Sequence, residues 1–221
     1  FPILLIAPGG LRSERGMWQN SPLSPVALLS PHFQVIAMDQ RNAGESSGPI
    51  ESGHDWDTYT RDQLDLMTHL GLERFAVVGM CIGGPYILNL IKLAPERVVA
   101  SVVMQTIGRD NNRQEFLAMF DGWADSLHQS DPQRYGSEAL LGLRRRMFEN
   151  DLTFMCMTES DAQQLDGPMR ILDGADTYHP AASSQRLAEL QPQADRIHEW
   201  KASPDLELAA DRLVAFFHAH L

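Results

Sequence analysis

An α/β fold with a mostly parallel sheet flanked by helices is the class this sequence predicts. Two observations carry that expectation. Short runs that are apolar at nearly every position recur along the chain, each ending near a glycine-containing or polar turn. Stretches of mixed polar and apolar spacing, suited to amphipathic helices, separate them. Uniformly apolar runs suit strands covered on both faces, and strands alternating with helices imply parallel pairing. The 221 residues are enough for one sizeable core, and length alone permits one or two domains.

The elements follow in order. Ile3-Leu4-Leu5-Ile6 is a strand that opens into Pro8-Gly9-Gly10. Phe33 to Met38 is a second strand, and it runs into Asp39-Gln40-Arg41-Asn42-Ala43-Gly44-Glu45-Ser46, where Asn42 is a residue that tolerates positive φ well. From Asp57 to Leu70 the spacing predicts a helix, closed by Gly71. Phe75-Ala76-Val77-Val78 is the next strand, and Pro85-Tyr86-Ile87-Leu88 lies in the helix after it. Arg97 to Met104, Pro168 to Leu172 and Arg196 to Trp200 are further strand candidates. In the last helix Ser203 is the expected cap and Pro204 the first helical residue. Leu206, Ala209, Leu213, Phe216 and Phe217 form its apolar stripe.

Residues 108–167 interrupt this alternation. They hold two amphipathic segments, Arg113–Gln129 and Ser137–Glu149, with Phe116, Met119, Phe120, Trp123 and Leu127 at helical spacing. Packing on the sheet is the plain reading of that stripe. Met147, Phe148, Phe154, Met155 and Met157 add soft, adaptable surface that suits an apolar substrate.

The chemistry concentrates at Gly79-Met80-Cys81-Ile82-Gly83-Gly84, between a strand and a helix. A reactive side chain on so sharp a turn needs backbone room and neighbours without Cβ atoms. A helix N-terminus favours a thiolate, and the N–H of Ile82 is available to face an oxyanion. A buried, inert cysteine in a glycine-rich turn is the alternative.

With serine at its centre the hexapeptide would be the nucleophile elbow of the α/β-hydrolases. With Cys81 it resembles the cysteine version of that elbow, as in dienelactone hydrolases. The turn from Asp39 to Ser46 resembles the family's D-x-R-G-x-G-x-S, with Asn42 where glycine is usual. The resemblance spans nearly the whole chain. It implies an α/β-hydrolase core over residues 1–107 and 168–221 and a small helical cap, or lid, over 108–167. It also implies that the family's leading antiparallel hairpin is missing: either Phe1 starts partway through a longer protein, which is the favoured expectation, or this variant lacks the hairpin.

For the site, the resemblance implies Cys81 as nucleophile. The oxyanion would rest on the N–H of Ile82 and on the loop holding Gly9 and Gly10. Gly174-x-Asp176-x-x-x-Pro180 resembles the family's acid loop and assigns Asp176 as the orienting carboxylate, with Asp173 and Asp110 as competitors. The family's histidine normally follows the last strand, but Lys201-Ala202-Ser203-Pro204-Asp205 contains none. His179, three residues past Asp176 at the carboxyl end of the sheet, is the expected base. His198, inside the last strand candidate, reads as a packing residue. The implied activity is hydrolysis of an activated ester, thioester or lactone through an acyl-enzyme. The alternatives are a ligand-binding protein without turnover and a lyase or carbon–carbon bond hydrolase.

A net charge of −11 argues against nucleic acid and anionic membrane surfaces as partners. A small, partly apolar molecule is the expected partner, with a homodimer left open. Two cysteines and no disulfide framework suit a reducing cytoplasm. No metal-ligand spacing occurs and no cofactor is expected. His218 and His220 fit the last turn of a helix, where they complement its dipole.

Overall fold

Alternate residues of the first strand decide which helix layer each face of the sheet receives. In β1 (Pro2–Ile6), Ile3 and Leu5 enter one apolar core, while Leu4 and Ile6 enter the other. The computed structural model describes residues 1–221 and contains one six-stranded sheet in which every pairing is parallel. After β1 come α1 (Pro25–Leu29), β2 (Gln34–Ala37), α2 (Trp56–His69), β3 (Phe75–Cys81), α3 (Gly83–Leu93) and β4 (Val98–Thr106). The inserted segment carries α4 (Arg113–Ser130), α5 (Ser137–Phe148) and α6 (Glu159–Gln163). The chain returns to the sheet with β5 (Met169–Leu172), α7 (Ala181–Leu190), β6 (Asp195–Ile197) and α8 (Asp205–His220).

The strand order is β2-β1-β3-β4-β5-β6. From β1 the chain first steps outward to β2, then returns to the other side of β1 with β3. This reversal opens a crevice beyond the carboxyl ends of β1 and β3, where open α/β sheets bind ligands. Ile6 pairs with Gly79, so the loop after β1 and the turn after β3 leave the sheet side by side.

One face is covered by α1 and α8. Ala209, Leu213, Phe216 and Phe217 of α8 are buried against Ile3, Val78 and Val102. The other face receives α2, α3 and the inserted helices in one continuous core. Buried Asn89 of α3 donates to Asp57 Oδ1 at 2.9 Å and Thr60 Oγ1 at 3.0 Å, which bolts α3 to α2. Phe116, Phe120, Trp123, Leu143, Met147 and Phe148 face inward, and Trp56 Nε1 donates to the Met147 carbonyl at 3.2 Å. The inserted helices thus have no core separate from the sheet's. No helix is long and apolar enough to cross a membrane.

The turn from Asp39 to Ser46 is held by Asp39. Its carboxylate accepts from the Arg15 N–H at 2.8 Å, Arg15 Nη1 at 2.8 Å and the Glu45 N–H at 3.0 Å. Asn42 adopts φ 60°, the conformation its side chain allows.

Two local expectations are corrected. The last helix begins at Asp205, with Pro204 in the capping position, and Ser203 Oγ instead donates to Glu207 Oε1 at 2.6 Å. The last strand stops at Ile197. Beyond it His198 turns outward with a 67% exposed side chain and bonds to Asp173 at 3.0 Å, so it is not a strand-interior packing residue. Trp200 Nε1 donates to the Asp173 carbonyl at 2.7 Å, which draws the chain off the sheet.

Candidate active site

Cys81 ends β3 with φ 61°, a left-handed conformation that a non-glycine residue adopts only where its surroundings over-determine it. The surroundings here are backbone. A Cβ on Gly79 would lie 2.8 Å from the Gly83 carbonyl oxygen, and one on Gly83 would lie 2.9 Å from that of Ile6. Strand and helix therefore meet at van der Waals distance, and only glycine fits at either position. The turn pushes the Cys81 side chain out at the N-terminus of α3, into a cavity of ≈280 Å³. Gly9, Gly10 and Ile82 line the same cavity, as does His179.

The acid loop is folded on itself. Asp176 accepts from the N–H groups of Tyr178 and His179 at 3.0 Å each, and His179 Nδ1 lies 2.8 Å from both carboxylate oxygens. A Cβ on Gly174 would lie 2.2 Å from the His179 carbonyl oxygen, so the loop closes this tightly only with glycine there. With Nδ1–H donated to Asp176, the neutral ring leaves Nε2 as an acceptor. Nε2 is buried and makes no other hydrogen bond. His179 and Cys81 line one cavity, and each alters the other's proton affinity.

Burial by itself would raise the Cys81 pKa, yet it lies below the ordinary thiol value. The His179 ring and the N–H groups of Gly9 and Gly10 favour the thiolate by more than burial opposes it. Burial would lower the His179 pKa, but the Cys81 sulfur and Asp176 raise it above the ordinary imidazole value. Asp176 is lowered against the effect of its own partial burial, through His179 and the two N–H groups it accepts from. All three shifts favour a thiolate–imidazolium pair. Cys156 differs: burial pushes its thiol far up, and its Sγ–H donates to the Pro85 carbonyl at 3.3 Å.

The competing carboxylates are occupied elsewhere. Asp173 accepts from Arg196 Nε and Nη2 at 2.8 Å each and bonds to His198, so it fastens the end of β5 to β6 and to the residue after it. Asp110 is exposed and accepts only from the neighbouring Asn111 side chain. Of the eight histidines, only His179 lines the cavity.

Asn112 was not singled out by the sequence. It is buried after β4, where its Nδ2 donates to the Gly108 carbonyl at 2.9 Å and to the Thr177 carbonyl at 2.7 Å. It thereby ties the acid loop to the exit of β4 across 65 positions of sequence, a separation at which no local signal could reveal it.

A family model described as the alpha/beta hydrolase fold matches residues 2–153. The chain belongs to the α/β-hydrolase fold family. Among curated α/β-hydrolase relatives, carboxylesterase YbfK of Bacillus subtilis is 33% identical over 106 residues, covering 47% of this chain and 33% of that protein. The chain spans about half or less of the length of the curated relatives it matches. Among solved structures, the meta-cleavage product hydrolase CumD from Pseudomonas fluorescens IP01 superposes with TM-score 0.71 at 20% identity. That match covers 99% of this chain and 90% of that one. The enol-lactonase from Burkholderia xenovorans LB400 superposes with TM-score 0.70 at 18% identity, covering 98% and 90%. These structural matches establish the α/β-hydrolase fold.

Proposed function

We propose that this chain is a cysteine-dependent hydrolase of activated carbonyl compounds: esters, thioesters or lactones. The observation that carries the reading is the buried, unpartnered Nε2 of His179 on the same cavity as Cys81, with Nδ1 committed to Asp176. In this reading the Cys81 sulfur attacks the carbonyl carbon, and the C=O π pair moves onto oxygen. That oxyanion is met by the N–H of Ile82 and by the loop of Gly9 and Gly10. Collapse re-forms the carbonyl and breaks the bond to the leaving group, which takes the Nε2 proton of His179. Water, deprotonated by His179, then attacks the thioester, and the sulfur leaves as thiolate. Activated carbonyls suit this chemistry better than amides, because sulfur is itself a good leaving group.

In the same proposal residues 108–167 serve as a lid over the site, and the substrate is a small, partly apolar molecule. The test is intact-mass spectrometry after mixing the protein with p-nitrophenyl acetate. A transient acetyl adduct on Cys81, absent in Cys81→Ala, is expected. A protein that releases no p-nitrophenol and carries no adduct, although its Cys81 alkylates rapidly, is a binding protein instead.

A further inference from the structure

The cavity above Cys81 is walled by Ile107, Phe116, Met119 and Tyr178, and its lining includes no Asp, Glu, Lys or Arg. Two of those walls come from one helix. Phe116 and Met119, three residues apart on α4, face the same way. Met119 lies directly over the oxyanion loop: a Cβ on Gly10 would be 2.7 Å from its sulfur. The helix is latched there, since Arg12 Nη2 from the same loop donates to the Gly122 carbonyl and to Ser126 Oγ, both at 3.1 Å. Tyr178 packs edge-on against Phe116 with ring centroids 5.4 Å apart and closes the opposite side.

We propose that this cavity takes a short, uncharged, aliphatic acyl group and that Met119 sets the length it accepts. The proposal rests on the hydrolase reading above and names its substrate class. Size argues first. A water molecule's share of the liquid is ~30 Å³, so ≈280 Å³ holds roughly nine atoms of that size, counting the scissile carbonyl and the start of the leaving group. Charge argues second. A carboxylate in this cavity would meet the Cys81 thiolate and a protein of net charge −11; the walls hold no Lys or Arg, and the His179 ring is already shared between Cys81 and Asp176. The Arg109 guanidinium is engaged elsewhere: it lies 5.6 Å from the Phe116 ring centroid and donates to the Phe148 carbonyl. Adaptability argues third. An unbranched thioether is the wall most easily trimmed without disturbing the aromatic packing behind it.

The experiment compares p-nitrophenyl acetate, butyrate, hexanoate, octanoate and hemisuccinate, read as kcat/KM and as Cys81 acylation by intact mass. Butyrate is expected to exceed octanoate, and to exceed the hemisuccinate, each by about tenfold or more. Met119→Ala should raise octanoate relative to butyrate by about tenfold, whereas Met119→Leu, which keeps the bulk, should preserve the wild-type order. Equal rates for octanoate and butyrate, a preference for the hemisuccinate, or an unchanged ratio in Met119→Ala would each overturn the proposal. If no ester acylates Cys81, the hydrolase reading fails on its own. The cavity is then read by protection of Cys81 against iodoacetamide. Butyramide protecting better than octanamide, reversed in Met119→Ala, upholds the assignment, and equal protection by both amides ends it.

Discussion

Cys81 is pulled in two directions, and the balance is measurable. Burial opposes a thiolate there, while the His179 ring and the N–H groups of Gly9 and Gly10 favour one and prevail. Iodoacetamide should therefore alkylate Cys81 far faster than Cys156 at neutral pH, as liquid chromatography and mass spectrometry of the tryptic peptides would report. Because the Cys81 pKa is depressed, its reactivity should rise with pH to a midpoint below the ordinary thiol value. In His179→Ala burial is opposed only by the two N–H groups, so the midpoint must move up. A midpoint that stays put would mean that the ring does not act on the sulfur. For turnover, His179→Ala should cost about 10²–10⁴-fold in kcat/KM, the range for a positioned base. The activity profile should be bell-shaped, since the reactive pair is lost by thiolate protonation on the acid side and imidazolium deprotonation on the alkaline side. Its two limbs belong to the pair rather than to either residue.

At the scale of elements, the inserted helices share the sheet's core. Trp123 of α4 is buried in that common core, so Trp123→Ala should destabilise the whole protein by about 3–5 kcal/mol, read as the shift of a single urea transition. Removing residues 109–166 with a Gly-Ser bridge would uncover Trp56, Tyr59 and Tyr86. Cooperative unfolding should be lost, checked by the same transition. A shortened protein that melts sharply would mean that the sheet supports itself. The strands that frame the candidate site were legible because they are apolar at nearly every position, and the turn because its glycines bracket a cysteine between strand and helix. The end of β6 was not, since His198 and Trp200 look like strand residues until Asp173 recruits both. Nor were the contacts of Met119 with Gly10 or of Asn112 with Thr177, which join segments far apart in sequence. Local pattern reports which face a residue presents and is silent about which distant loop meets it.

For the molecule as a whole, acid is the relevant stress. Asp39 is depressed below the ordinary carboxylate value. Burial alone would raise it, and the N–H groups of Glu45 and Arg15, with the Arg15 guanidinium, outweigh that. A depressed carboxylate contributes stability that is present above its unfolded pKa of about 3.9 and lost as pH falls through the lower folded value. Asp176 has the same sign. The thermal midpoint should thus drop between about pH 6 and about pH 3. Asp39→Asn should lower the midpoint at pH 6 while making it less sensitive to acid, as differential scanning calorimetry would show. An acid dependence identical to wild type would mean that Asp39 is not a significant part of it.

One feature of the acid loop bears on how such a site is inherited. Asp176 and His179 sit three residues apart in one turn, and the turn's own N–H groups keep them in register. A site whose histidine follows the last strand must keep two separately evolving loops aligned, and a length change in either breaks the pair. Here a single short exchange of chain would carry both groups together, already aligned. On the proposed reading, the strand and helix that follow carry neither of the two groups.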